Sequence, residues 1–171
     1  MATGNSGSRT PFAAPVGMPR TYLDTGGGRK EEDVTAALRE GRGFFTTGPF
    51  LEFRVNGASR PGDLVTDRDG LVELSVRVDG ASWIDIDRIR VFGNGTPLFE
   101  KSLAGESRPV RARETVAIYT DTWFVAVATG DRSLDPVFTG PHGEPVLPVA
   151  VSNPIWVDFN GNGRFDAPGV P

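Results

Sequence analysis

Apolar and polar residues alternate with a period of two along most of the chain, and that spacing predicts strands. Val72, Leu74, Val76 and Val78 fall on one side and Glu73, Ser75, Arg77 and Asp79 on the other, the pattern of a strand with one buried and one wet face. Leu51, Phe53 and Val55 alternate with Glu52 and Arg54 up to a turn at Asn56-Gly57. Residues 83–92 change phase: Ile84 and Ile86 set one, Ile89 and Val91 the opposite, so a bulge or break is required near Asp87-Arg88. Asn94-Gly95 predicts a type I′ hairpin, since both central residues need positive φ, with residues 96–101 returning as the paired strand. Residues 110–119 and 122–129 give two further strands. In the second, Trp123, Val125 and Val127 alternate with Phe124, Ala126 and Ala128, and two apolar faces place it centrally in a sheet.

The last strand begins near Val149 and carries Pro154, which lacks an amide donor, so it is expected to be an edge or to be bulged there. Helical signals gather at one place, about Glu31 to Glu40. Glu31, Glu32 and Asp33 suit the positive end of the helix dipole, Val34, Ala37 and Leu38 make a stripe, and Gly41 takes the left-handed stop. A helix this short needs a surface to pack on. Residues 21–23 read as a short strand and residues 43–47 as another, ending at Gly48-Pro49. Residues 1–19, rich in Gly, Ser, Ala and Pro, read as a flexible leader, and residues 131–148 as a long excursion of the kind that carries binding loops. About eight short strands separated by turn signals predict a mostly β chain, a β-sandwich of the immunoglobulin or fibronectin kind.

Composition narrows the function classes. A chain of 171 residues is long enough for a real core, and 22 Gly with 14 Pro favour turns over long helices. A net charge of −4 disfavours a nucleic-acid or anionic-membrane partner, no apolar run approaches a membrane span, and the first residues lack the layout of a signal peptide. With no cysteine, disulfides and thiolate chemistry are excluded.

Candidate chemistry concentrates at the end of the chain, in VSNPIWVDFNGNGRFDAP. Ile155, Val157 and Phe159 alternate with Trp156 and Asp158, so a strand delivers oxygen donors to a turn. Asp158, Asn160, Asn162, Arg164 through its carbonyl, and Asp166 stand at the relative positions from which a short loop wraps calcium, with Gly163 at the sixth place. Gly169 stands where a helix-loop-helix site supplies a bidentate glutamate, and the competing reading is a Gly/Asn turn without metal. Trp83, Trp123 and Trp156 form a sugar-stacking platform if exposed and core filling if not. Asp85, Asp87, Asp121 and Asp158 are candidate paired carboxylates of a hydrolase, against the plainer reading of strand-end aspartates that cap turns. The single histidine, His142, is too isolated for a zinc cluster, and no nucleophile elbow is present.

The succession ALREGRGFFTTGPFLEFRVNG, RIRVFGNGTPL, DTWFVAVATG and SNPIWVDFNGNGRFDAPG resembles the C-terminal part of PHP-domain metal-dependent hydrolases of the carbaryl-hydrolase-like group. The likeness runs from about Arg20 to the end, with its most specific pieces in Gly41-Arg42 to Gly48-Pro49 and in Asn153-Pro154-Ile155 to Gly163. After the leader over residues 1–19, it implies the terminal helix and strand of an α/β barrel over 20–50 and an appended sandwich over 51–171. In that family the barrel binds its catalytic metals through several histidines and acids, including a His-x-His pair, and this chain has one histidine, elsewhere. The resemblance therefore implies a noncatalytic accessory domain, whose parent hydrolyses ester-type bonds, with the upstream catalytic domain as its partner and an extracytoplasmic location slightly favoured. Val34, Leu38, Phe44 and Phe45 are expected to lose partners without the barrel and to repack on the sandwich, to pair with another copy or to lie disordered. A calcium- or carbohydrate-binding module is the alternative.

Overall fold

The computed structural model describes residues 1–7, 17–103 and 105–168. Eleven strands and one helix follow in order: β1 (Arg20–Leu23), α1 (Glu31–Glu40), β2 (Gly43–Thr46), β3 (Phe50–Val55), β4 (Leu64–Thr66), β5 (Leu71–Asp79), β6 (Arg88–Gly93), β7 (Thr96–Ser102), β8 (Val110–Ala117), β9 (Thr122–Thr129), β10 (Val149–Ser152) and β11 (Ile155–Asp158). They form two sheets, one of eight strands and one of three in the order β3-β5-β8. The chain is thus mostly β and arranged as a sandwich.

In the larger sheet β9 is central, as its two apolar faces require. One edge pairs with β6, which continues to β7, and the other pairs first with β10 and then with β11. Val151 stands opposite Val127 and Ile155 opposite Phe124, so Ser152, Asn153 and Pro154 face only Val125 and Ala126. That extra residue is a bulge, and it resolves the choice posed by Pro154: the strand is interior and bulged, not an edge. The Pro154 carbonyl accepts the Gly62 amide at 2.9 Å, and the Asn153 amide donates to the Gly43 carbonyl at 2.9 Å. Beyond the bulge β2 and then β1 flank β10, while β4 flanks β11 in a parallel pair. β4 carries no alternation long enough to announce it.

The phase change in residues 83–92 is a break. β6 starts at Arg88, and Ile84 and Ile86 turn into the core from the loop before it. At Asn94-Gly95 both φ angles are positive, 49° and 82°, as the hairpin needs. The smaller sheet follows its alternation closely: Val72, Leu74, Val76 and Val78 are buried, and Glu52, Arg77 and Arg111 share a register row on the wet face. Small residues, Ala126, Ala128, Ala150 and Ser152, occupy the middle of the larger sheet's inner face and let the sheets approach, while Phe124 and Ile155 fill its end.

Helix α1 ends on Gly41 with φ 73°, and the Asp33 carboxylate accepts the Lys30 amide at 2.9 Å to cap its start. The stripe is thin: Ala37 is buried, whereas Val34 and Leu38 are exposed. Phe44 packs into the core and Phe45 is half-buried. β1 and β2, from the stretch whose resemblance is to the end of a barrel, lie within the larger sheet. The described ends of the leader meet the body: the Ala2 amide donates to Asn153 Oδ1 at 2.8 Å and the Gly4 amide to Thr21 Oγ1 at 2.9 Å, while residues 8–16 lie outside the described residues.

This packing separates two substitutions. Phe124→Ala, at a fully buried position, should destabilise by about 3–5 kcal/mol in denaturant titrations, whereas Leu71→Ala, at an exposed one, should stay within about 0.5 kcal/mol of wild type.

Candidate functional site

The terminal loop is built on two buried carboxylates. Asp158 closes β11 and is fully buried. Its Oδ1 accepts the amides of Gly161 at 2.6 Å and Asn162 at 3.2 Å, and its Oδ2 accepts Gly163 N–H at 2.8 Å and the Thr66 hydroxyl at 3.2 Å. Asp121, in the turn before β9, takes the amides of Phe159 at 2.9 Å and Asp166 at 2.8 Å on its two oxygens. Together they hold both ends of the loop, with Gly161 and Gly163 at positive φ supplying the reversals. Two carboxyl groups buried here are tolerated because each accepts several hydrogen bonds.

The remaining candidate ligands gather on the same turn. Asn160 Oδ1 accepts the Asn162 amide and Asn162 Oδ1 accepts the Arg164 amide, each at 3.0 Å. Their Nδ2 groups converge on Asp166 Oδ2, at 3.4 and 2.6 Å, and Arg164 Nε lies 3.0 Å from Asp166 Oδ1. The loop therefore satisfies its own donors and acceptors. A cation entering it must displace the two asparagine amides from Asp166. Among the described residues no group of three His, Cys, Asp or Glu side chains is arranged to hold a metal ion, and Gly169 lies outside those residues.

Burial raises the Asp158 carboxyl, but the amides of Gly163, Gly161 and Asn162 and the Thr66 hydroxyl outweigh it and hold the group below its ordinary value. Asp166 is lowered by the Asn162 amide, against desolvation, with help from Asn160 and Arg164.

The four carboxylates considered for hydrolysis fall into two places. Asp121 and Asp158 share the terminal loop at the start of β9. Asp85 pairs with Arg132 at 3.2 Å and Asp87 accepts the Asp131 amide at 2.7 Å, both at the far end of that strand. Eight residues of β9 separate the groups by about 25 Å. The tryptophans divide likewise: Trp123 and Trp156 are cross-strand partners between β9 and β11, whereas Trp83 is exposed in the loop before β6. His142 sits in an exposed turn where its amide donates to Glu144 at 2.9 Å. In the excursion around it, Leu134 and Phe138 are buried in the core.

Compared with protein-family models, curated proteins and solved structures, the chain finds no match.

A second concave site escaped the sequence reading. Tyr22 of β1 stacks on Phe44 of β2 with centroids 5.0 Å apart, and Phe50 of β3 stands edge-on to both at 5.6 and 5.2 Å. They border a cleft of about 270 Å³ rimmed by Arg42, Arg54 and Arg60. Its signal was the alternation of Tyr22 with Thr21 and Leu23, too short to say what Tyr22 faces.

Carboxylates whose folded-state values are depressed stabilise the fold above their unfolded value, near pH 4, and that contribution is lost as pH falls through the folded value. Asp158→Asn should destabilise at pH 7, because its amide group meets backbone donors. The gap to wild type should narrow in urea titrations as pH falls below about 4, as the native carboxyl gains a proton facing the same donors.

Proposed function

We propose that this chain is a noncatalytic accessory β-sandwich of a PHP-type metal-dependent hydrolase and packs against or helps present the catalytic domain. The observation that supports this reading is the outer face of the larger sheet. In register, Phe45 neighbours Val151 and Val151 neighbours Val127; Val125 neighbours Phe92; Trp123 neighbours Trp156 and Trp156 neighbours Leu64. These side chains point away from the core and are exposed or half-buried, with Arg90 beside Val127, its guanidinium over Phe92, and with Gly4 close against Phe45. A sheet facing water alternates apolar with polar residues, as β5 does; a largely apolar outer face of this extent marks a surface that another body covers. The exposed Val34 and Leu38 of α1 fit the same account.

The finer assignments belong to this reading: an immunoglobulin- or fibronectin-like sandwich, β1-α1-β2 as the end of an α/β barrel, a parent acting on ester-type bonds with metals held upstream, and an extracytoplasmic setting. A second copy covering the same face is the competing partner. The coding sequence upstream of Met1 is a direct test, since a barrel with a His-x-His pair agrees and an unrelated domain overturns the assignment. Expressed separately, that barrel should bind this chain in pull-down, and Val127→Glu should weaken binding at least tenfold without moving the melting midpoint of the sandwich by more than a few degrees. Ester hydrolysis at enzymatic rate by the purified chain would refute it.

The gathering of Asp158, Asn160, Asn162 and Asp166 on one turn favours calcium binding as a second reading, with Arg164 offering its carbonyl. Thermal melts decide it: a bound ion at a hundred times its dissociation constant adds about 2.7 kcal/mol, whereas an identical midpoint in millimolar calcium and in chelator removes this reading. For the carbohydrate alternative only the Trp123–Trp156 pair is assembled, and glycan binding there would change tryptophan fluorescence.

A further inference from the structure

The aromatic cleft lies along a free strand edge. β3 pairs with β5 on one side only. The Asn56 amide donates to the Glu73 carbonyl at 2.9 Å, continuing the register in which Arg54 meets Ser75 and Glu52 meets Arg77. Antiparallel bonding alternates, so Phe50, Glu52 and Arg54 turn their main-chain groups toward β5, while Leu51, Phe53 and Val55 turn theirs outward. Val55 is satisfied by Ser59 in both directions, at 2.9 and 3.0 Å. Leu51 and Phe53 meet no such partner among the described residues, and both line the cleft.

Three features of the cleft specify an occupant. Two residues with outward N–H and C=O groups, spaced two apart on an open edge, match the main chain of another extended segment. Beside them Tyr22, Phe44 and Phe50 leave room for one large apolar side chain. On the rim, Arg60 is engaged by Asp24 at 2.7 Å and Arg42 by Glu40, while the Arg54 guanidinium donates to the Ala58 carbonyl at 3.3 Å and lies near enough to Asp24 to help hold that carboxyl below its ordinary value. Among the described residues Arg54 is the rim cation with no direct carboxylate contact, and it is the one placed to take a carboxylate of an occupant. A second folded copy fits poorly, because its own β3 is roofed by β1 and β2 in the same way, and two recessed edges cannot meet.

We propose that the cleft between β1–β2 and the free edge of β3 binds an extended peptide as an added strand, seating a large apolar side chain on Tyr22, Phe44 and Phe50 and a carboxylate at Arg54. The site faces away from the apolar outer face, so the proposal stands whether or not a barrel covers that face.

The test uses the full chain and three peptides, Ac-Glu-Thr-Z-Thr-Glu-amide with Z as Phe, Trp or Leu, titrated by calorimetry at low salt. At least one should bind saturably, N-methylation of the two threonine amides should weaken it at least tenfold, and Tyr22→Ala should do the same. Arg54→Gln should weaken the glutamate peptide about tenfold and leave its glutamine counterpart unchanged. Tyr22 is exposed and Arg54 half-buried, so melting midpoints near wild type certify that both variants fold. Absence of saturable binding by all three at millimolar concentration would overturn the proposal. So would equal affinity for the N-methylated peptide, which would mark a small-molecule aromatic pocket, or a self-associated state that the peptide dissociates, which would assign the cleft to a second copy.

Discussion

Two sheets of unequal width cannot cover one another, and most of this molecule follows from that mismatch. Counting across β7, β6, β9, β10, β2 and β1, the larger sheet is about 24 Å wide between outer strands, against about 10 Å for β3, β5 and β8. The rest of the inner face must be sheltered from water by other means, since its apolar side chains are worth about 25 cal/mol per Å² only once covered. Loops supply the shelter. Ile84 closes against Gly48 in the β2–β3 turn, and Ile86, Leu103, Leu134 and Phe138, all from outside the strands, are buried in the core. At β1 and β2 the covering runs out, and Tyr22, Phe44 and Phe50 stack on each other to bury what they can. The cleft is the uncovered remainder.

The same sheet is wide because one strand serves two neighbours. The bulge at Asn153-Pro154 offsets β10 from β11, so β2 flanks the first and β4 the second. A proline suits the position because no donor is needed where the ladder is interrupted, and its carbonyl is still satisfied by Gly62. Past the bulge β11 ends on Asp158, and the buried carboxylates of Asp158 and Asp121 fold the terminal loop back onto the start of β9. Position of the loop and width of the sheet are thus fixed by one irregularity.

What could be read in advance was what depends on near neighbours in the chain. The alternation of β5, the double apolar face of β9, the hairpin at Asn94-Gly95 and the bounds of α1 were all legible, because each is decided within ten residues. β4 was not, since Leu64-Val65-Thr66 becomes a strand only through its parallel partner β11, some ninety residues on. Leu134 and Phe138 looked like binding-loop residues because a Pro- and Gly-rich setting hides the need to plug a distant core. The oxygen donors of the last loop were visible from spacing, but not that their present partners are amides of the same loop. Asp121, placed among catalytic candidates, holds that loop's backbone, a role set by a fold-back forty residues long.

The two uncommitted surfaces call for different kinds of partner, and β2 shows how they are related. Phe44 turns inward to the cleft and Phe45 outward to the flat apolar face, as successive residues of a strand must. A broad face without exposed main-chain donors offers area and shape alone, which suits a rigid body that is already folded. A recessed edge with unpaired amides offers directional bonds instead, which reward a chain with no structure of its own.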